Sequence, residues 1–250
     1  MRFLILTKKH LITAGCAVLA VIIGTAISVN VFAKQERLLP IYCVQTEEKR
    51  IALTFDAAWG ADDTDTLISI LQQYNAPATF FVVGEWVDKY PEEVKRLSDA
   101  GNDVMNHSAT HPHMTSLNED QMKQQLQTCN EKIAAITGKM PTLFRCPYGD
   151  YDNRVVSTVE SIGMKTIQWD VDSLDWKDTS TVESIVTRVT GKVKAGSIVL
   201  FHNDAEFTPK ALPIILEKLT AEGYTFVKAA DLIHYDNYTI DHAGMQIPKG

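Results

Sequence analysis

Arg50-Ile51-Ala52-Leu53-Thr54-Phe55-Asp56 is an apolar run that ends in a carboxylate. It reads as a buried strand. The period then changes: Leu67, Ile70, Leu71 and Tyr74 recur at helical spacing. Ala78-Thr79-Phe80-Phe81-Val82-Val83 returns to the strand pattern. The same alternation continues down the chain. Residues 91–100 read as a helix with Pro91 in its first turn and Gly101 just past its end. Ser116 and Glu119 have capping-box spacing before a helix that carries Met122, Leu126, Cys129, Ile133 and Ile136 and stops at Gly138. Further short strands are expected at 143–145, 165–169, 197–200 and 225–227, with helices at 155–162, 182–193 and 214–221. Strands that alternate with helices predict parallel strands in an α/β barrel or open sheet. Asp56, Arg145, Asp170 and His202 each fall at or just after the carboxyl end of a predicted strand, the end that carries chemistry in barrels of this class.

The chain has 250 residues, 45% hydrophobic and 22% charged, enough for one sizeable core. A formal net charge of −7 disfavours a nucleic-acid partner. It also gives no general attraction to an anionic membrane surface. Residues 1–33 are set apart from the fold. Arg2, Lys8 and Lys9 precede an uncharged run over residues 11–33, which Lys34 closes. The run is long enough to cross a hydrocarbon core of roughly 30 Å, and it exceeds the roughly 7–15 residues of a secretory signal core. It reads as a single-pass membrane anchor, with cleavage near Ala33 as the alternative. Both readings leave the remainder outside the cytoplasm. Residues 34–48 read as a tether, 49–235 as the folded domain and 236–250 as a C-terminal tail. Cys16 lies in the apolar run. Cys43, Cys129 and Cys146 form no C-x-x-C pair, which excludes a zinc ribbon.

His107-Ser108-Ala109-Thr110-His111 carries two imidazoles that converge on one divalent cation if the segment is helical or tightly turned. Asp56, at the end of its strand, supplies a base for water. Arg145-Cys146-Pro147-Tyr148-Gly149 offers an arginine to orient that carboxylate, and the backbone near Tyr148 offers a donor to a developing oxyanion. In Asp172-Ser173-Leu174-Asp175-Trp176, Asp175 is available to hold a charged partner and Trp176 to wall a pocket. Ile198-Val199-Leu200-Phe201-His202 ends an apolar strand in a histidine.

In this order the motifs resemble the NodB homology domain of the polysaccharide deacetylases, carbohydrate esterase family four, over roughly residues 48–233. The resemblance implies a distorted (β/α) barrel, often of seven strands. It also implies metal-dependent removal of acetyl from N-acetylated sugars in cell-wall glycan, as peptidoglycan or chitin-like polymers. Asp56 then matches the general base, and His107 and His111 match metal ligands, with Zn²⁺ the expected ion. Arg145 matches the arginine that orients the base, His202 the general acid and Asp175 its charge partner. Trp176 and Leu200 match walls of the acetyl pocket. One departure stands out. The family's third metal ligand is an aspartate directly after the base, and here that position is Ala57. Asp62, Asp63, Asp56 itself or water remain to fill the place, or else the chain is a degenerate glycan-binding or spore-wall protein. Cys146 stands where proline is common, and Asn203 follows His202 where aspartate is common. The Thr-Phe-Asp-x-x-Trp-Gly form resembles the sporulation-associated subfamily.

Overall fold

The computed structural model describes residues 37–249. The expected anchor over residues 1–33 lies outside the described residues. Within the described ones no helix is long and apolar enough to cross a membrane. The chain begins with β1 (Cys43–Val44), β2 (Arg50–Ala57), α1 (Thr64–Gln73), β3 (Thr79–Val82), α2 (Gly84–Lys89), α3 (Pro91–Asp99) and β4 (Asp103–Asn106). It continues through α4 (Glu119–Thr137), β5 (Leu143–Phe144), α5 (Asn153–Ser161), β6 (Lys165–Thr166), β7 (Val171–Asp172) and α6 (Val182–Thr190). Last come β8 (Ile198–His202), α7 (Thr208–Ala221), β9 (Thr225–Val227), α8 (Ala229–Leu232), β10 (Tyr238–Ile240) and β11 (Met245–Pro248).

The main sheet runs β6-β5-β4-β3-β2-β8-β7, parallel throughout, with β9 parallel to the first residues of β2. It is a curled, open half-barrel of the expected α/β class. Strand β2 sits at its centre and shows why. Ile51, Leu53, Phe55 and Ala57 join the large apolar cluster with Leu67, Leu71, Leu212 and Leu216 of the covering helices. Ala52, Thr54 and Asp56 alternate with them and face the other way. Phe55 stacks on Phe80 and Phe201 at centroid distances of 4.8 and 5.4 Å, locking β2 between its neighbours. A strand apolar on one face, with Asp56 as the last residue of the other, delivers a carboxylate to the sheet's carboxyl end.

Several elements differ from the expectations. The cap of α4 is two residues later: Asn118 accepts from Gln121 N–H and the Gln121 side chain answers the Asn118 amide. Asn and Gln fulfil the same reciprocal bonds as Ser and Glu, so the spacing was right and the residues were not. Helix α7 begins at Thr208, with Pro209 in its first turn and Pro213 inside it. Its apolar face, Ala211, Leu212, Ile215, Leu216 and Leu219, is fully buried and offsets the bond lost at Pro213.

Residues read as tether and tail carry strands. Strand β1 pairs with β11, and β10 completes a three-stranded sheet. Just before β1, Ile41 N–H donates to Thr166 and Gln168 N–H donates to the Ile41 carbonyl. Val44 N–H donates to Gly196 at 2.9 Å. Gly196 has φ +79°, and a Cβ there would collide with the Val44 carbonyl, so the crossing needs glycine. This short strap spans the open side of the half-barrel. Such pairing is non-local and leaves no periodicity in so few residues.

Candidate active site

Pairing of β2 with β8 sets Asp56 beside His202. Arg145, immediately after β5, donates its amide to the Asn106 carbonyl of β4. Its side chain is fully buried, stacked 4.2 Å over the Phe81 ring and 5.5 Å from that of Trp169. One guanidinium nitrogen donates to Asp56 Oδ1 at 2.8 Å and another to the Gln168 carbonyl at 3.1 Å. Burial alone would raise the Asp56 pKa; the Arg145 charge, with His107 and His202, outweighs it and holds the carboxyl below its ordinary value. Asp56 is therefore an ionised base in a nearly dry place.

His202 is prepared in the opposite sense. Its Nδ1 lies 2.8 Å from Asp175 Oδ1, while Asp175 Oδ2 accepts from the His202 amide at 2.8 Å and from Thr208 Oγ1 at 2.7 Å. A carboxylate only accepts, so Nδ1 carries the proton and Nε2 is left for the cleft. Burial lowers the imidazole pKa, but the Asp175 bond and charge overcome it and the net shift is upward. His202 thus holds its second proton to higher pH than a free imidazole.

His107 and His111 are held neutral. His107 Nδ1 faces the Arg145 carbonyl at 2.9 Å, so it donates, and Nε2 is left as a lone pair 3.6 Å from Asp56 Oδ2. Burial depresses its pKa. The segment is tightly turned, not helical: Ser108 and His111 have φ of +70° and +56°. Asn106 Oδ1 accepts the Ser108 amide, Ser108 Oγ accepts the His111 amide, and Gln125 accepts from Ala109 and Thr110. The turn brings the His111 ring within 4.9 Å of the His107 ring, and burial beside His107 lowers the His111 pKa to about 4. Two neutral imidazoles on one cleft wall are suitable donors for a divalent cation. Ala57 supplies no third: it is 1% exposed and packs in the apolar cluster. Nor does Asp63, whose Oδ2 accepts the Asp204 amide on another loop. Among the described residues no three His, Cys, Asp or Glu side chains converge as a metal site. The donors fit a cation through two imidazoles.

Asp56, His107, His111 and His202 open onto one cavity of about 470 Å³, walled by Tyr148, Trp176 and Leu200. Tyr148 has φ +60° and lies between His111 and His113, whose ring stacks on it at 4.3 Å. His113 is thereby kept behind the tyrosine. Asp170 is elsewhere: it binds Ser197 Oγ and the Ile198 amide at the start of β8, the end opposite His202. Sequence reasoning passed over Trp59, which rims the cavity 6.0 Å from the His202 ring, and over Asn106, Gln125 and Thr208. Asn106 ends a four-residue strand with no apolar period, so only its place beside His107 pointed to it.

Residues 44–167 match the family model for polysaccharide deacetylase. The chain is 32% identical to the peptidoglycan-N-acetylmuramic acid deacetylase PdaA of Bacillus subtilis, over 79% of its own length and 76% of that protein's. It is 36% identical to PdaC of the same organism, a peptidoglycan-N-acetylmuramic acid deacetylase, over 76% of this chain but only 40% of the relative. Among solved structures, BA3943 from Bacillus anthracis, described as a family-four pseudoenzyme, superposes with a TM-score of 0.74 at 32% identity, covering 84% of this chain and 73% of that one. A mutant of it, described as having restored enzymatic activity, reaches 0.75 at 36%, over 79% and 71%. The chain belongs to the polysaccharide deacetylase family.

Proposed function

We propose that this chain removes acetyl groups from N-acetylated sugars of cell-wall glycan, peptidoglycan first among them, with a divalent cation held by His107 and His111. The observation that carries the reading is the opposed pair in one cavity, Asp56 kept ionised by Arg145 and His202 kept protonated by Asp175. A cation on the imidazoles, Zn²⁺ by donor type, supplies polarisation of the amide carbonyl and acidification of water. The chain's own groups do the rest. Asp56 removes the proton of the attacking water as its oxygen bonds to the acetyl carbon. The Tyr148 amide faces the oxyanion that forms. His202 gives its Nε2 proton to the sugar nitrogen as the C–N bond breaks, and acetate and an amino sugar leave. Trp176 and Leu200 enclose the methyl group. Acetate release by the purified chain from peptidoglycan and chitooligosaccharides, measured alongside its metal content, tests this.

Ala57 and the likeness to BA3943 favour a second reading, a glycan-binding or spore-wall protein without turnover; glycan binding with no acetate at any metal concentration would select it. Retention of Asp56, Arg145 and His202 supports the enzyme. For localisation we infer a single-pass anchor over residues 11–33 with the domain outside the cytoplasm, in sporulating cells by the Thr-Phe-Asp-x-x-Trp-Gly form. Protease added to protoplasts is expected to digest the domain, and full protection would refute the placement. A mature terminus at Lys34 would select the cleaved signal instead.

A further inference from the structure

From Ser108 to His111 every backbone amide is taken by a side-chain oxygen. Ser108 N–H donates to Asn106 Oδ1 at 2.7 Å, and His111 N–H donates to Ser108 Oγ at 2.9 Å. Those acceptors are local. The other two amides reach across the fold, Ala109 and Thr110 both donating to Gln125 Oε1 at 3.0 Å. Two successive N–H groups aimed at one point make a seat for an oxygen, and this carboxamide fills it. The Thr110 hydroxyl closes the contact, 3.3 Å from Gln125 Oε1 and 3.1 Å from its Nε2. Gln125 is a half-buried residue in the first half of α4.

The turn needs this support. Ser108 and His111 lie at φ +70° and +56°, a region that residues with a Cβ hold only when their surroundings impose it. The carbonyl side is fixed by α2, whose Gly84 and Glu85 amides donate to Ser108 and Ala109 at 2.9 Å. The amide side is fixed by α4. Next to Gln125, the Leu126 carbonyl and Asn130 Oδ1 accept from Asn106 Nδ2 at 2.8 and 2.7 Å, pinning the residue before His107 to the same helix. The two imidazoles are then aimed differently. His107 is oriented through its ring by the Arg145 carbonyl. Among the described residues the His111 ring has only edge contacts, with His107 and Tyr148 at 4.9 and 4.5 Å. Its direction depends on its backbone, and so on the turn.

We propose that Gln125 is a positioning residue of this site: through the two amides it takes, it holds the 108–111 turn so that the His111 imidazole converges with that of His107 on a cation. The role rests on the reading of these histidines as the cation's donors. Gln125 touches neither cation nor substrate. With Ala57 where a third ligand would stand, two imidazoles carry the ion, and its affinity follows their mutual aim. Helix α4 thereby supplies part of the order that a third ligand would otherwise impose.

The test titrates Zn²⁺ calorimetrically into the metal-free full chain, parent against Gln125→Met, Gln125→Ala and Gln125→Glu. Methionine and alanine are good helix formers without the oxygen, whereas glutamate keeps an acceptor for both amides. Because the position is half-buried, water reaches the freed amides and all three variants are expected to melt close to the parent. Zn²⁺ affinity is expected to fall about 10- to 100-fold in Gln125→Met and Gln125→Ala, the scale of losing one supporting group around a metal ligand. It should be largely kept in Gln125→Glu. Hydrogen exchange without metal is expected to lose protection at Ala109 and Thr110 in the first two variants and keep it in the third. Equal affinity in the parent and Gln125→Met, or equal weakness in Gln125→Met and Gln125→Glu, would overturn the role and leave the cation reading standing. A parent chain that takes no Zn²⁺ would overturn the cation reading itself, and the role with it.

Discussion

The wall of the cleft that holds Asp56 and His202 and the wall that holds His107 and His111 differ in how they are tied to the fold. Asp56 ends the central strand, its partner Arg145 is stacked on Phe81 within the sheet, and Asp175 is bonded to the amide as well as the ring of His202. Removing any of these leaves a buried charge or donor without its partner, which is strongly destabilising. On the other wall the family's third ligand is a single side chain at a strand end. Alanine there packs into the apolar cluster with no group left unsatisfied. The acid–base half of the site is held by the same contacts that hold the sheet, and the third-ligand position is not. Loss of function can therefore enter through the metal half without loss of fold.

The largest effect should come from breaking the intact wall. Asp56→Asn and His202→Ala are each expected to lower acetate release by about 10²–10⁴-fold, the usual contribution of a positioned acid or base. Undiminished turnover in Asp56→Asn would remove it as the base. A smaller change should come from repairing the other wall. Ala57→Asp adds an anionic oxygen and is expected to tighten metal binding on the order of 10- to 100-fold, the scale of losing one supporting group at a metal site. Some stability should be lost, because the carboxylate starts among apolar side chains. Equal affinities in calorimetric titration would mean that another group already completes the site. The smallest effect sharpens the comparison within the intact wall. Asp175→Asn removes what raises the His202 pKa. Since the acid must be protonated to act, the alkaline limb of kcat/KM should then fall at lower pH than in the parent. An unmoved limb would belong to some other group.

Much of this was legible in the sequence because it rests on local pattern. The apolar run into Asp56, the paired histidines and the strand ending in His202 announce both the parallel sheet and its chemical end. What stayed hidden depends on contacts distant in the chain. Residues 41–44 gain their structure from Thr166, Gly196 and β11, none of them near in sequence. Strand β4 is four residues with a polar one at each end, too short to show a period. Asp170 looked equivalent to Asp56 because both follow apolar residues. The register of β8 places it instead at the sheet's far end, where it caps the Ile198 amide. Trp59 was visible only as part of a motif, since nothing linear reveals that its loop folds back against His202.

The pairing of Cys43 with Met245 brings the first and last strands of the domain side by side. A fold whose entrance and exit are neighbours is a cassette: it can be spliced into a longer polypeptide through two adjoining joints without disturbing the sheet between them. The matched segment makes up 76% of one relative and 40% of the other.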